Sequence, residues 1–136
     1  TAGCIFWGWL ADKMGAYRVL MLGSTLLALS SFAFYQSLPN DLNHTIFLYS
    51  LLGFSLGSVA VVPMILVALF PPVVRYSGFS FSYNVAYSIF GGFTPILIAL
   101  WLKADILAPA HYLALVCVIA FVLAIYLASK NPGSQV

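Results

Sequence analysis

FPPVVRYSGFSFSYNVAYSIFGGFTPILIALWL, Phe70 to Leu102, begins with a Pro-Pro break and one arginine, Arg75, and then carries no formal charge before Lys103. Roughly 20 mostly apolar residues, rising about 1.5 Å each, cross a hydrocarbon core of about 30 Å, so this stretch predicts a membrane-spanning helix. It is polar for such a helix. Ser77, Ser80, Asn84, Ser88 and Gly91 recur at spacings of three and four, which sets them along one face, with Tyr83 and Tyr87 beside them. An amide such as Asn84 is costly in hydrocarbon without a partner, so this face is expected to meet other helices or a wetted cavity. Gly91, Gly92 and Pro95 then remove side-chain bulk and a backbone donor. Two roles fit the pattern: helix packing through small and hydrogen-bonding residues, which the pattern alone favours, and the lining of a solute pathway.

Composition places the whole chain in the same class. Of 136 residues, 63% are hydrophobic and 6% are charged, against about 25% charged in water-soluble domains. The formal charge of +2 is too small and too scattered for nucleic acid. Cys4 and Cys117 sit in apolar runs, where a thiol acts as a small hydrophobe, and no clustering of His, Cys or acidic residues suggests a metal or cofactor site. The opening Thr1-Ala-Gly-Cys-Ile-Phe-Trp lacks an initiator Met and any signal-peptide layout. It reads as the end of a helix already in progress, so the chain is expected to be a piece of a longer membrane protein.

Outward from the decisive stretch, the same reasoning predicts an all-α membrane protein with four complete spans. Residues 1–10 are the last turns of a preceding helix, with Trp7 and Trp9 at an aromatic belt. Residues 8–18 hold Asp12, Lys13 and Arg18 between glycines and predict a tight surface loop. Spans follow at about residues 19–36, 45–70, 77–102 and 111–129, in a single transmembrane region ending in a short tail, 130–136. The loop at residues 37–44 contains breakers, a formal Asn43-His44-Thr45 sequon and a solvated His44. Gly53 and Gly57 form a G-x-x-x-G packing face in the second span, and Pro63 is expected to bend it. His111 reads as an interfacial residue. Basic residues at Lys13, Arg18, Arg75 and Lys130 alternate against Lys103 alone, which predicts a cytoplasmic C-terminus.

Two segments resemble a known family. GWLADKMGAYR, residues 8–18, is similar to the cytoplasmic loop signature of the major facilitator superfamily, G-x-L-A-D-[RK]-x-G-R-[RK], through Gly8, Leu10, Ala11, Asp12, Lys13 and Gly15. Ala16 and Tyr17 stand where basic residues are expected, and Arg18 comes one place late. The decisive stretch resembles the eleventh-helix region of the metabolite:proton symporters, carriers of proline and betaine, citrate, α-ketoglutarate and shikimate. It does so through Phe70, Pro71, Arg75, Tyr76, Gly78, Tyr83, Asn84, Phe90, Gly91, Gly92 and Pro95. Ala68 stands near a position where many members are acidic.

The resemblance implies the C-terminal part of a twelve-helix facilitator fold in a bacterial inner membrane. It further implies alternating access between two halves and proton-coupled uptake of a small organic acid or zwitterion. Tyr83, Asn84, Tyr87 and Ser88 then become cavity-lining residues, and Gly8, Asp12, Lys13, Gly15, Arg18 and Arg75 the cytoplasmic loop network. Gly53, Gly57, Gly91 and Gly92 remain packing positions. The partners implied are the bilayer, the solute, protons and N-terminal helices of the same protein, without which the fragment is expected to be inactive. Rival classes are a small multidrug-type exporter, which needs a membrane carboxylate this chain lacks, and a non-catalytic four-helix subunit. An intramembrane enzyme is disfavoured, because no acid–base pair lies within the spans.

Overall fold

A computed structural model describes residues 2–37, 42–103 and 105–130. They form six α-helices and one 3-10 turn, with no strand among the described residues. Helix α1 (Ala2–Met14) is separated from α2 (Ala16–Ser37) by Gly15 alone. Gly15 has φ +88°, its N–H donates to the Ala11 carbonyl at 2.9 Å, and its own carbonyl accepts from Val19 at 3.3 Å. This is a left-handed C-cap that starts a new helix at once. The surface loop expected over residues 8–18 is therefore helical except at one residue. Nothing between Trp9 and Met14 opposes a helix, and a single positive-φ glycine is enough to redirect the chain.

Helix α3 (Leu42–Leu56) passes through a 3-10 turn, Gly57–Ala60, into α4 (Val61–Leu69), and Asn43–Leu69 together are long and apolar enough to cross a membrane. Pro63 explains the interruption. It has no N–H, and in a continuous α-helix its ring would press on the Val59 carbonyl. The chain adopts tighter 3-10 bonding just upstream, with the Val61 N–H on the Ser58 carbonyl, so the irregularity expected at Pro63 lies at Gly57–Ala60. Asn43 and His44 are exposed in the first turn of α3 and not in a loop; residues 38–41 lie outside the described residues.

Helix α5 (Arg75–Trp101) carries Pro95 internally, and α6 (Ala108–Lys130) completes the set. Asp105 starts α6: its Oδ1 accepts the Leu107 N–H at 2.9 Å and its carbonyl accepts the Ala108 N–H at 3.2 Å. Pro109 sits in the first turn of α6, where no backbone donor is missed. The expected tail beyond Lys130 lies outside the described residues. Helices α2, α5 and α6 are, like the α3–α4 unit, each long and apolar enough to span a bilayer. The fold is thus all-helical with four candidate membrane spans.

Helix α2 is the hub, packing on α6 along one side and on α1, α3 and α4 along the other. What allows the close approach is small residues. A Cβ on Gly57 would collide with the Gly3 backbone, one on Gly3 would meet the Phe54 carbonyl oxygen at 2.6 Å, and one on Gly23 would strike the Ser58 side chain. Ser24, Ser30, Ser31, Ser55 and Ser58 are all buried. Their hydroxyls are spent within their own helices: Ser24 on the Met21 carbonyl (3.0 Å), Ser31 on Ala28 (2.9 Å), Ser55 on Leu51 (2.8 Å) and Ser58 on Ser55 (2.8 Å). The Ser30–Ser55 hydroxyl pair, at 3.4 Å, is too long for a strong O–H···O bond. The serines therefore serve as small residues that bring backbones together, not as cross-helix hydrogen bonds.

Trp7, expected at an interfacial belt, is 4% exposed and donates its indole N–H to the Phe54 carbonyl at 3.0 Å. That carbonyl lies where α3 gives way to the 3-10 turn. Trp7 joins Ala11, Ala16, Tyr17, Val19, Val61 and Ile65 in a core that locks the α1–α2 corner onto α4. Trp9, on the opposite face, is exposed.

Three stability outcomes follow for thermal unfolding of the whole protein in detergent. Gly57→Val should cost about 1–3 kcal/mol through overpacking against Gly3, whereas Ser30→Ala should change stability by less than about 1 kcal/mol. Gly15→Ala should cost about 1–2 kcal/mol, because a Cβ disfavours left-handed backbone.

Candidate functional site

Helix α5 is held at its two ends and free between them. At its start, the Phe70 ring covers Gly78 so closely that a Cβ there would lie 2.6 Å from the ring Cδ1. Arg75 turns back to the same residue, its Nε donating to the Phe70 carbonyl at 3.4 Å. The guanidinium is thus directed to backbone. At the far end, the hydroxyls of Thr94 and Tyr112 are 2.6 Å apart, joining α5 to α6. His111 completes this end: it lies 3.5 Å from the Asp105 carboxylate, stacks on Trp101 at 6.3 Å and receives Phe32 of α2 edge-on at 5.4 Å. The expectation of an interfacial residue understates it, since His111 gathers three helices at one end of the bundle.

Between these ends every residue from 84 to 93 is exposed, and no residue of α5 is buried. Helical periodicity divides the exposed surface into two strips. Asn84 and Ser88 share a shallow groove with Ser80, Phe81, Val85 and Ile89. The Asn84 amide donates one N–H to the Ser80 carbonyl at 2.7 Å, which orients the group along the helix and leaves its oxygen and second N–H available. Tyr83 and Tyr87 lie on the adjacent strip with ring centroids 4.7 Å apart, and Phe79 extends the stack, 5.3 Å from Tyr83. Of the four predicted lining residues, the structure thus brings together Asn84 with Ser88, and Tyr83 with Tyr87. Phe79 was missed, although its spacing of four from Tyr83 and eight from Tyr87 signals the shared face. Nothing in the spacing announces the Thr94–Tyr112 contact, which joins different helices.

Of the loop-signature residues, Ala11 is buried in the core and Leu10 packs against it, whereas the charged ones lie outside it. Gly8 is within α1 with open space where a Cβ would stand, and Asp12 and Arg18 are exposed. Neither pairs with an opposite charge; His111 with Asp105 is the one ion pair among the described residues. Lys13 lies 4.0 Å above the Trp9 ring. Of the four expected packing glycines, Gly57 sits in the α1 crossing, whereas Gly53, Gly91 and Gly92 are exposed with nothing within 4 Å. Among the described residues no group of three His, Cys, Asp or Glu could hold a metal ion, and both cysteines are free.

Comparison with known proteins gives the family. Residues 1–136 match the Major Facilitator Superfamily. The chain is 35% identical, over 96% of its length, to a protein named putative proline/betaine transporter from Staphylococcus aureus (strain COL), of which it covers 29%. It is 42% identical over 72% of its length to the inner membrane metabolite transport protein YhjE of Escherichia coli (strain K12), covering 23% of that protein. It is 35% identical over 67% of its length to the shikimate transporter of the same strain, covering 22%. The chain therefore spans less than a third of the length of these curated relatives. No solved structure matches it significantly. A long helix without formal charge between Arg75 and Lys103, charged residues on both sides of the Gly15 corner, and a match running the full length of the chain lead to one assignment: the chain belongs to the Major Facilitator Superfamily.

Proposed function

We propose that this chain is the C-terminal part of a secondary transporter, not an enzyme, that carries a small metabolite, an organic acid or a zwitterion, across a bacterial inner membrane. The observation that carries the reading is α5: a helix long enough to span, with no formal charge between Arg75 and Lys103, whose middle is exposed on every side and carries a polar strip with Asn84 and Ser88. A lipid-facing helix gains nothing from that strip, whereas the wall of a wetted cavity does. The relatives' names, proline/betaine, shikimate and metabolite transport, support solutes of this size and polarity.

In this reading α5 faces helices supplied by the rest of a twelve-helix protein, and Gly53, Gly91 and Gly92 are where those helices approach. The two halves alternate access to a site between them, near the midplane. Asn84 and Ser88 offer neutral donors to the solute, and Tyr83 and Tyr87 offer hydroxyls and ring faces. The spans carry no carboxylate at depth, so the proton-coupling group belongs to the preceding part of the protein. Asp12, Lys13, Arg18 and Arg75 lie on the cytoplasmic side, as does the C-terminus. A non-catalytic four-helix subunit would need none of these features together.

In the whole transporter, Asn84→Ala should lower solute uptake by about tenfold or more at unchanged membrane abundance, the usual loss when a hydrogen bond to a charged group is removed. Uptake equal to wild type would remove Asn84 from the pathway. Orientation is read separately, in a background with Cys4 and Cys117 changed to Ser. A membrane-impermeant maleimide should label Asn43→Cys in intact cells, and should label Met14→Cys only after the membrane is opened.

A further inference from the structure

We infer that α5 moves as two segments: residues 94–101 travel with α6 and α2 as one body, and residues 75–90, which carry the polar strip, pivot against them at Gly91, Gly92 and Phe93. This rests on the reading of α5 as a cavity wall and says which part of the wall moves. The helix is weakest at that turn. Pro95 has no N–H to close the bond with the Gly91 carbonyl, and its ring crowds that carbonyl in a straight helix. Gly91 and Gly92 are poor helix formers, and nothing lies within 4 Å of where a Cβ on either would stand. A missing bond, a steric push and two unsupported glycines thus fall within one turn, where membrane helices bend.

Packing divides α5 at the same place. On the Trp101 side the segment is attached twice. The Thr94 and Tyr112 hydroxyls are 2.6 Å apart, and seven residues on, about 10 Å along the axis, Trp101 stacks on His111. His111 meets the Asp105 carboxylate and Phe32 of α2, and the Asp105 N–H donates to the Trp101 carbonyl at 3.1 Å, closing the connection between α5 and α6. Two attachments that far apart hold the segment's direction as well as its position. On the Arg75 side the tie is Phe70 on Gly78, made by the residue that follows α4, and no residue between Gly78 and Thr94 is buried. Rocking of whole halves needs no bend inside a helix, so a bend here is a separate motion, confined to the length that carries Ser80, Asn84 and Ser88.

The test measures spin-label distances by pulsed electron paramagnetic resonance in the whole transporter, solute-free, in lipid nanodiscs, with Cys4 and Cys117 changed to Ser. One pair joins Ile125→Cys on α6 to Leu100→Cys, the other joins Ile125→Cys to Phe81→Cys; all three positions are exposed. The Leu100 pair should give a single narrow distance, and the Phe81 pair a broad or two-peaked one. Pro95→Ala, which restores the N–H and reduces the side chain's volume, should narrow the Phe81 distribution and lower the maximum rate of uptake by about tenfold at unchanged membrane abundance. Pro95→Gly restores the same N–H but remains a poor helix former, so it should keep uptake within about threefold of wild type. Equally narrow distances for both pairs, a spread that Pro95→Ala leaves unchanged, or equal impairment by Pro95→Gly and Pro95→Ala would overturn the inference. If Asn84→Ala impairs uptake while both distances are narrow, the hinge falls and the cavity reading stands. If Asn84→Ala is silent while the Phe81 distance spreads and Pro95→Ala narrows it, the hinge stands and the cavity reading falls.

Discussion

The close crossing at Gly3, Gly23, Gly57 and Ser58 is the constraint on which the rest of the arrangement depends. In a bilayer, apolar side chains gain little by leaving lipid for one another, so helices associate where backbones can come near and many weak contacts form at once. Here the contact surfaces are glycine against backbone and glycine against serine. The serine hydroxyls are satisfied one turn back along their own helices, which leaves them free to act as small side chains without burying an unmet donor. The 3-10 turn imposed by Pro63 falls on the same segment. Packing and backbone irregularity therefore meet at one place, and α2 becomes the helix on which α1, α3, α4 and α6 converge.

Against that ordered half, α5 stands apart. It is anchored by Phe70 on Gly78 at one end and by Thr94 and Tyr112 at the other, with the His111 cluster alongside. No residue of its middle is buried. In the proposed reading, a helix tied at its ends and free in its centre suits a wall that must change partners as a cavity opens to alternate sides. The contacts at the ends are polar or aromatic and few, so the energy opposing such a change is modest compared with that of the α2 crossings.

Much of this was legible in the residues. Absence of charge over some 20 residues at a time implies spanning helices, because lipid leaves the backbone no partner outside itself. The three-and-four spacing from Ser77 to Ser88 placed the polar strip of α5 on one face, and helix geometry preserves that in any environment. The loop signature and the eleventh-helix stretch resembled the superfamily to which the chain belongs. Boundaries were less legible. Residues 8–14 looked like a loop because they are charged and glycine-flanked, yet charge is no obstacle to a helix, and the turn needed only Gly15.

What the one-dimensional pattern settled was class and periodicity: four helices able to cross a membrane, a polar face on the third of them, and the family. Those follow from composition and from helix geometry, both local properties. Which small residues touch, that Trp7 is buried on the Phe54 carbonyl and not at an interface, that Gly57 packs while Gly53 does not, and that His111 joins Phe32, Trp101 and Asp105 all depended on how the helices meet. A glycine four residues from another predicts a shared face, but whether that face is covered is decided by the neighbour's position, which no spacing along a single helix encodes.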